Sequence, residues 1–172
     1  WKLEDLISRS MVGCVQLGAA PDVDVNLHLT PVDYVAEALV CISFQNECGG
    51  HAFNLLNHRL MTLRQMTALI KKAGYPIELL PYEEWCRRLT ETTGDENVLR
   101  ILSCLFTDQR TAGESMIERF GVHQAQFSTA NTDRLLSGSG ITCPPVNAAL
   151  LRSYLRHFIK SGYLPAPQPW WK

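Results

Sequence analysis

The sequence predicts an α+β fold dominated by helices, with two or three short strands, and three observations lead there. In "NLHLTPVDYVAEALVCIS", Asn26–Ser43, a strand pattern runs directly into a helix pattern. After Gly74 nearly every patterned stretch has helical spacing. Near the C-terminal end, Leu150, Leu151, Tyr154, Leu155, Phe158 and Ile159 make one broad apolar stripe, the clearest amphipathic helix in the chain.

In chain order, Lys2–Leu17 carries an irregular helical stripe of Leu3, Leu6, Ile7, Val12, Cys14 and Val15, and Gly18 ends it. "GAAPDVD" reads as a loop. Val25–Leu29 then alternates apolar and polar residues, as a half-buried strand does. From Pro31 the apolar positions Val32, Val35, Ala36, Leu39 and Val40 recur at helical spacing. Thr30 is placed to cap that helix, Pro31 suits a first turn where its missing N–H has no partner to lose, and Asp33 sits at the capping-box position. "ECGG", Glu47–Gly50, closes the segment.

"HAFNLLN", His51–Asn57, reads as a short strand in which Phe53 and Leu55 alternate with polar neighbours. Thr62 with Gln65 gives a second capping box, opening a helix through Leu63, Met66, Leu69 and Ile70 that stops at Gly74. Up to that glycine the order of strand, helix, strand and helix has an α/β rhythm. Beyond it, Ile77–Leu80 is extended between two prolines and a helix bearing Trp85 and Leu89 follows. Val98–Phe106 and Glu114–Phe120 are two further helical pieces parted by "TDQRTAG". Asn131 is placed as a cap before the glycine break of "NTDRLLSGSG". Gly162 terminates the last helix, and the tail "LPAPQPWWK" is too rich in proline to continue as helix or sheet.

Composition bounds the function classes. With 172 residues, a hydrophobic fraction of 46% and 19% charged residues, the chain can bury a real core, and it has no apolar run approaching the ~18 residues of a membrane span. A formal net charge of −1 offers nucleic acid no bulk attraction, so neither membrane nor nucleic acid is an expected partner. The chain starts at Trp1 without an initiator methionine or a leader, as if cut from something longer. Cys14, Cys41, Cys48, Cys86, Cys104 and Cys143 are too widely spaced for a small disulfide scaffold; they read as reduced, mostly buried thiols of a cytoplasmic protein. Cys41, Cys48 and His51 lack the paired spacing of a zinc site, and no metal is expected.

Catalytic signatures are missing. "GCVQLGAA" has the glycine spacing of a phosphate loop, but Ala19 and Ala20 stand where Lys and Ser/Thr are required. "GESMI" lacks the second glycine of a nucleophile elbow. The chain has no dinucleotide-binding glycine turn, and none of its five tyrosines has a lysine four residues on.

These absences acquire meaning beside a resemblance. "GCVQLGAAPDVDVNLHLTPVDYVAEALVCIS" resembles the stretch that follows the catalytic Tyr-x-x-x-Lys segment in thioester reductase domains, the extended short-chain dehydrogenase/reductase type at the ends of nonribosomal peptide and polyketide synthetases. "HAFNLLN", "LLPYEEWCRRL" and "FSTANTDRLLSGSGITCPPVNAALLRSYLRHFIKSGYLPAP" continue it in order, and aminoadipate and carboxylic acid reductases share the pattern. The resemblance implies an enzyme that uses NADPH to reduce an acyl or peptidyl thioester, presented on the phosphopantetheine arm of a carrier protein, to an aldehyde or alcohol. It also implies that this chain is the C-terminal substrate subdomain. NADPH and the catalytic Tyr/Lys pair would then belong to an upstream Rossmann subdomain of the same polypeptide, leaving the isolated chain inactive and free of cofactor.

On that basis residues 1–74 join the cofactor subdomain to the substrate subdomain, 75–164 form the helical substrate subdomain and 165–172 a Pro/Trp tail in which Trp170 and Trp171 cover a seam or hang loose. Met11, Cys14 and Leu17, with Asn26, His28 and Thr30, are the implied substrate-binding residues. Each also has a plainer reading: the first three as core, Thr30 as a cap, His28 as a surface residue. Leu27 stands near the place where related sugar-nucleotide enzymes carry an arginine, which disfavours such a substrate. Arg152, Arg156 and Lys160 form an i, i+4, i+8 row that is either a solvated face or a docking surface for an acidic carrier protein. The competing function is a noncatalytic module that docks a carrier protein or a synthetase domain.

Overall fold

The structure, a computed structural model, describes residues 6–92, 97–100, 106 and 127–167. Its described elements are α1 (Leu6–Leu17), β1 (Ala19–Pro21), β2 (Asn26–Leu27), α2 (Val32–Ser43), a 3₁₀ turn (Asn46–Cys48), β3 (Met61–Thr62), α3 (Leu63–Lys72), β4 (Glu78–Leu80), α4 (Tyr82–Glu91), α5 (Ala130–Leu136) and α6 (Ala148–Lys160). Among the described residues the chain is mainly helical, as expected, with four short strands in two pairs, one more than the two or three expected. Most of the expected pieces Val98–Phe106 and Glu114–Phe120, and Cys104, Trp170 and Trp171, lie outside the described residues. Two compact units are formed, one from residues 1–25, 62–123 and 147–172, the other from 26–61 and 124–146.

In the first unit, β1 and β4 pair in parallel, with Ala19 opposite Glu78 and Pro21 opposite Leu80. The "GAAPDVD" segment, expected as loop, thus begins as a strand; three buried residues without polar alternation give no period-two pattern to read. Trp85 of α4 lies beneath this ladder, 1% exposed, donating from Nε1 to the Ala19 carbonyl at 3.2 Å. Its ring stacks on Tyr82 at 6.1 Å and meets Phe106 edge-on at 5.4 Å. The capping box of α3 forms as expected: Thr62 Oγ1 accepts from Gln65 N while Gln65 Oε1 accepts from Thr62 N. Gly74, at φ +98°, takes the left-handed conformation that lets the chain leave α3. Asn147 caps α6 by accepting from Ala149 N and Leu150 N, and Leu151, Leu155 and Phe158 bury its apolar stripe. Tyr75 fastens the following segment by donating to the Pro165 carbonyl at 2.8 Å.

Gly13 sits within α1, where glycine ordinarily costs about 1 kcal/mol relative to alanine. Here a Cβ would stand 2.3 Å from Leu99 Cγ and 2.9 Å from Asn97 Oδ1, and the Gly13 carbonyl accepts from Asn97 Nδ2 at 3.0 Å. Gly13→Ala is accordingly expected to destabilise the chain by about 1–3 kcal/mol, despite alanine's better helix propensity. Urea unfolding of the two proteins checks the sign.

In the second unit, α2 packs Tyr34, Ala38 and Ile42 against Leu135 and Leu136 of α5. This reverses the expected face. Val32, Leu39, Val40 and Phe44 are 67%, 61%, 56% and 84% exposed, beside the exposed Asp33 and Glu37, because the helix has apolar residues on more than one stripe and its Tyr34 stripe takes the core within this unit. Nor does Thr30 cap α2. Pro31 is the N-cap without a side-chain hydrogen bond, Thr30 Oγ1 accepts instead from Asn57 N at 3.1 Å, and Asp33 Oδ1 accepts from its neighbour Tyr34 N. The expected strand Val25–Leu29 is paired only over Asn26–Leu27.

The expected strand His51–Asn57 joins no ladder among the described residues. One of its edges is held by side chains: Asn131 Nδ2 donates to the Ala52 carbonyl and Thr132 Oγ1 to the Asn54 carbonyl, each at 3.0 Å. Asn131 is therefore a cross-link inside α5, not its cap. The alternate residues Phe53 and Leu55, whose backbone groups face the opposite edge of an extended segment, make no backbone hydrogen bond among the described residues.

Candidate functional site

A cleft of about 730 Å³ opens in the second unit, within the size range of small-molecule sites. Its floor is built on Asn57, 2% exposed, which turns the end of the 51–57 segment. The Asn57 side chain donates to the Leu29 carbonyl at 2.9 Å and the Pro144 carbonyl at 3.2 Å, and its Oδ1 accepts from Arg59 N at 3.0 Å. Three stretches of chain far apart in sequence are thereby fixed, and His58 and Arg59 are presented to the cleft.

On the opposite side the chain leaves α5 through a turn whose Ser137, at φ −57° and ψ 125°, precedes Gly138 at φ +80°. Ser139 N returns to the Leu136 carbonyl at 3.1 Å, which makes this a type II turn and requires glycine at its third position. Gly140, at φ +77°, gives a second reversal that brings Ile141, Thr142 and Cys143 onto the cleft wall.

The polar groups divide into a satisfied set and an open set. Asp133 Oδ2 accepts from Thr129 Oγ1 at 2.8 Å, that hydroxyl lies 3.1 Å from His58 Nε2, and His58 Nε2 is 3.6 Å from Asp133 Oδ1. Arg59 has no ion-pair partner among the described residues. Burial first, then the neighbouring Cys143 thiol and Asp133 carboxylate, raise the Tyr34 phenol above its ordinary range, and burial followed by Asp33 does the same for the Cys143 thiol. Both shifts favour the protonated forms, Tyr34 as a hydrogen-bond donor and Cys143 as the thiol. This set of groups is suited to binding rather than covalent chemistry.

The residues singled out in the sequence fall elsewhere. Met11, Cys14 and Leu17 come together on α1 as core of the first unit, 2%, 6% and 7% exposed, and burial pushes the Cys14 thiol up to about 12. Cys14 is buried, but Cys41, Cys48, Cys86 and Cys143 are only half-buried, contrary to the expectation that most of the thiols are buried. Asn26 and His28 are exposed residues of the second unit. Thr30 alone joins the cleft's framework, through its hydrogen bond to Asn57. Arg152, Arg156 and Lys160 are exposed on α6 and make no ion pair among the described residues. Sequence reasoning missed Tyr34, Asn57, Arg59 and Asp133; the glycine break after α5 was the visible clue to a turn beside them.

The chain does not fit a dinucleotide at its strand-to-helix junction. Leu29, Thr30 and Pro31 supply no glycine for close backbone approach, and proline removes one N–H that a diphosphate would use. Among the described residues no cluster of His, Cys, Asp and Glu has metal-binding proximity, and no helix is long and apolar enough to cross a membrane.

No protein-family model matches the chain. It is 28% identical over 171 residues to the L-2-aminoadipate reductase large subunit of Eremothecium gossypii, covering 95% of this chain and 12% of that protein. Among solved structures it is similar to the terminal R domain from the myxalamid PKS-NRPS biosynthetic pathway, with a TM-score of 0.82 and 32% identity over 98% of this chain and 41% of that one. A thiolation-reductase di-domain from an archaeal non-ribosomal peptide synthetase shares the fold, with a TM-score of 0.70 at 19% identity, over 94% of this chain and 32% of that one. The chain spans well under half the length of each of these proteins.

Proposed function

We propose that this chain, which belongs with the reductase domains of carrier-protein synthetases and aminoadipate reductases and corresponds to the C-terminal part of such a domain, forms the substrate side of an NADPH-dependent thioester reductase. In this reading NADPH, bound by a preceding Rossmann subdomain, supplies the hydride, and a tyrosine of that subdomain supplies the proton. The present chain covers the thioester, excludes water and admits the phosphopantetheine arm of an acyl or peptidyl carrier protein.

The observation that carries the reading is the uncovered face of the second unit. A helix with apolar side chains beyond one buried stripe is at home where a second face is covered, yet Val32, Leu39 and Val40 of α2 and its C-cap Phe44 are open, beside the exposed Asp33 and Glu37. The 51–57 segment likewise has one edge held by Asn131 and Thr132, while Phe53 and Leu55 on the other edge are unpaired among the described residues. An apolar face beside an open strand edge is a surface built to be covered, and a Rossmann subdomain offers both apolar area and strand. Joined to such a subdomain, the protein is expected to oxidise NADPH when given a carrier-bound thioester, the chain alone being inactive. Absence of turnover by the joined protein overturns the reading.

A second reading, a docking module without catalysis, draws on Arg152, Arg156 and Lys160, three exposed cations on one row of α6. Under either reading these residues contact an acidic carrier protein. Arg152→Glu with Arg156→Glu is expected to weaken carrier binding by about tenfold or more, and wild-type binding to weaken between about 0.05 M and 0.5 M salt. Calorimetric titration reads both effects, and unchanged affinity removes the row from docking.

A further inference from the structure

We infer that the cleft of the second unit is a binding site for an organic oxyanion, with Arg59 supplying the charge and the Tyr34 and Thr142 hydroxyls supplying further donors. Tyr34 is 7% exposed and lines the cleft, yet its hydroxyl has no hydrogen-bond partner among the described residues. The ring is buried, but the hydroxyl is not one of the buried, unpartnered polar atoms; it is open to solvent and available as a donor to a ligand in the cleft. Tyr34, Asp133 and Cys143 line the cleft together, and the Cys143 thiol and Asp133 carboxylate both act on the phenol.

Charge selects the ligand. Asp133, which lines the cleft, already accepts from Thr129 and faces His58, whereas Arg59 has no counter-ion among the described residues. Guanidinium and hydroxyl donors together suit a carboxylate or a phosphate, and Leu136 and Ile141 give the attached carbon chain an apolar wall. The site stands on this geometry. Only the choice of one probe, 4′-phosphopantetheine, rests on the reductase reading.

The test is titration of the 172-residue chain with inorganic phosphate, 4′-phosphopantetheine and a straight-chain dicarboxylate, followed by calorimetry and by chemical-shift changes at cleft amides. Saturable binding of at least one of the three is expected, with shifts at Arg59, Gly140 and Thr142. Phosphate-bearing probes binding alone identifies a phosphate ligand, and the dicarboxylate binding alone identifies a substrate carboxylate. Arg59→Gln, at an exposed position that cannot upset the core, is expected to weaken binding about tenfold or more, and Arg59→Lys to recover part of the loss. Tyr34→Phe, which keeps the packing, should cost about fivefold. Arg134→Gln, outside the cleft and paired with Glu47, should change nothing. No saturable binding by any probe, or binding indifferent to Arg59→Gln, overturns the site. Because these readouts need no turnover, they fail independently of the reductase assay.

Discussion

Trp85→Ala is expected to lower the stability of the chain by about 3–5 kcal/mol, the largest single effect the structure predicts. The indole is 1% exposed, and its removal leaves a cavity beneath the β1–β4 ladder that Tyr82 and Phe106 cannot close without abandoning their own positions. It also leaves the Ala19 carbonyl without the Nε1 donor at 3.2 Å. Trp85→Phe separates the two contributions, since it keeps most of the apolar volume and loses the hydrogen bond; a loss of about 1–2 kcal/mol is expected. Denaturant unfolding monitored by far-UV circular dichroism gives both values, and a loss under about 1 kcal/mol for the alanine variant contradicts the packing described.

Asn57→Ala is expected to cost about 2–4 kcal/mol through a different mechanism. Little volume is lost, but the Leu29 and Pro144 carbonyls and the Arg59 N–H all lose their partner in a protected place. Asn57→Asp is the sharper probe because it is nearly isosteric. Its carboxylate can still accept from Arg59 N, but it sets oxygen against the two carbonyls that the amide now satisfies, so it should be at least as damaging as alanine. The same denaturant titration, with amide exchange localising the loss to residues 26–61 and 124–146, distinguishes a failed clamp from general destabilisation.

These two residues also mark how far the fold was legible in the sequence. Trp85 was visible because α4 is short, bounded by Pro81, and pairs its tryptophan with Leu89 one turn on. The capping box of Thr62 and Gln65 and the stripe of α6 were equally local, each contained within a few residues. Asn57 was invisible because its partners lie 28 and 87 residues away, and a polar residue at a strand end looks like any other until those partners are known. Thr30 was misread for the same reason: a threonine before a helix is an ordinary cap, and only the arrival of Asn57 N reassigns its hydroxyl.

The face of α2 could not be chosen from periodicity. Tyr34, Ala38 and Ile42 form one stripe and Val32, Ala36, Leu39 and Val40 another, and each alone would make an acceptable buried face. The His51–Asn57 strand pattern is a related case. Its alternation describes a segment suited to a sheet, while the ladder itself needs a neighbour that the described residues do not provide. In both places the local sequence carries more apolar and extended character than this unit uses, which is the physical content of the proposed reductase context.

The most direct test of that context is amide hydrogen exchange at Phe53 and Leu55, compared between this chain alone and the same residues within the joined reductase. The account predicts rapid exchange at both amides in the chain alone and protection rising by about a thousandfold or more once the open edge is paired. Equal, fast exchange in both proteins, with Phe44 and Leu39 remaining as accessible as before, would contradict it.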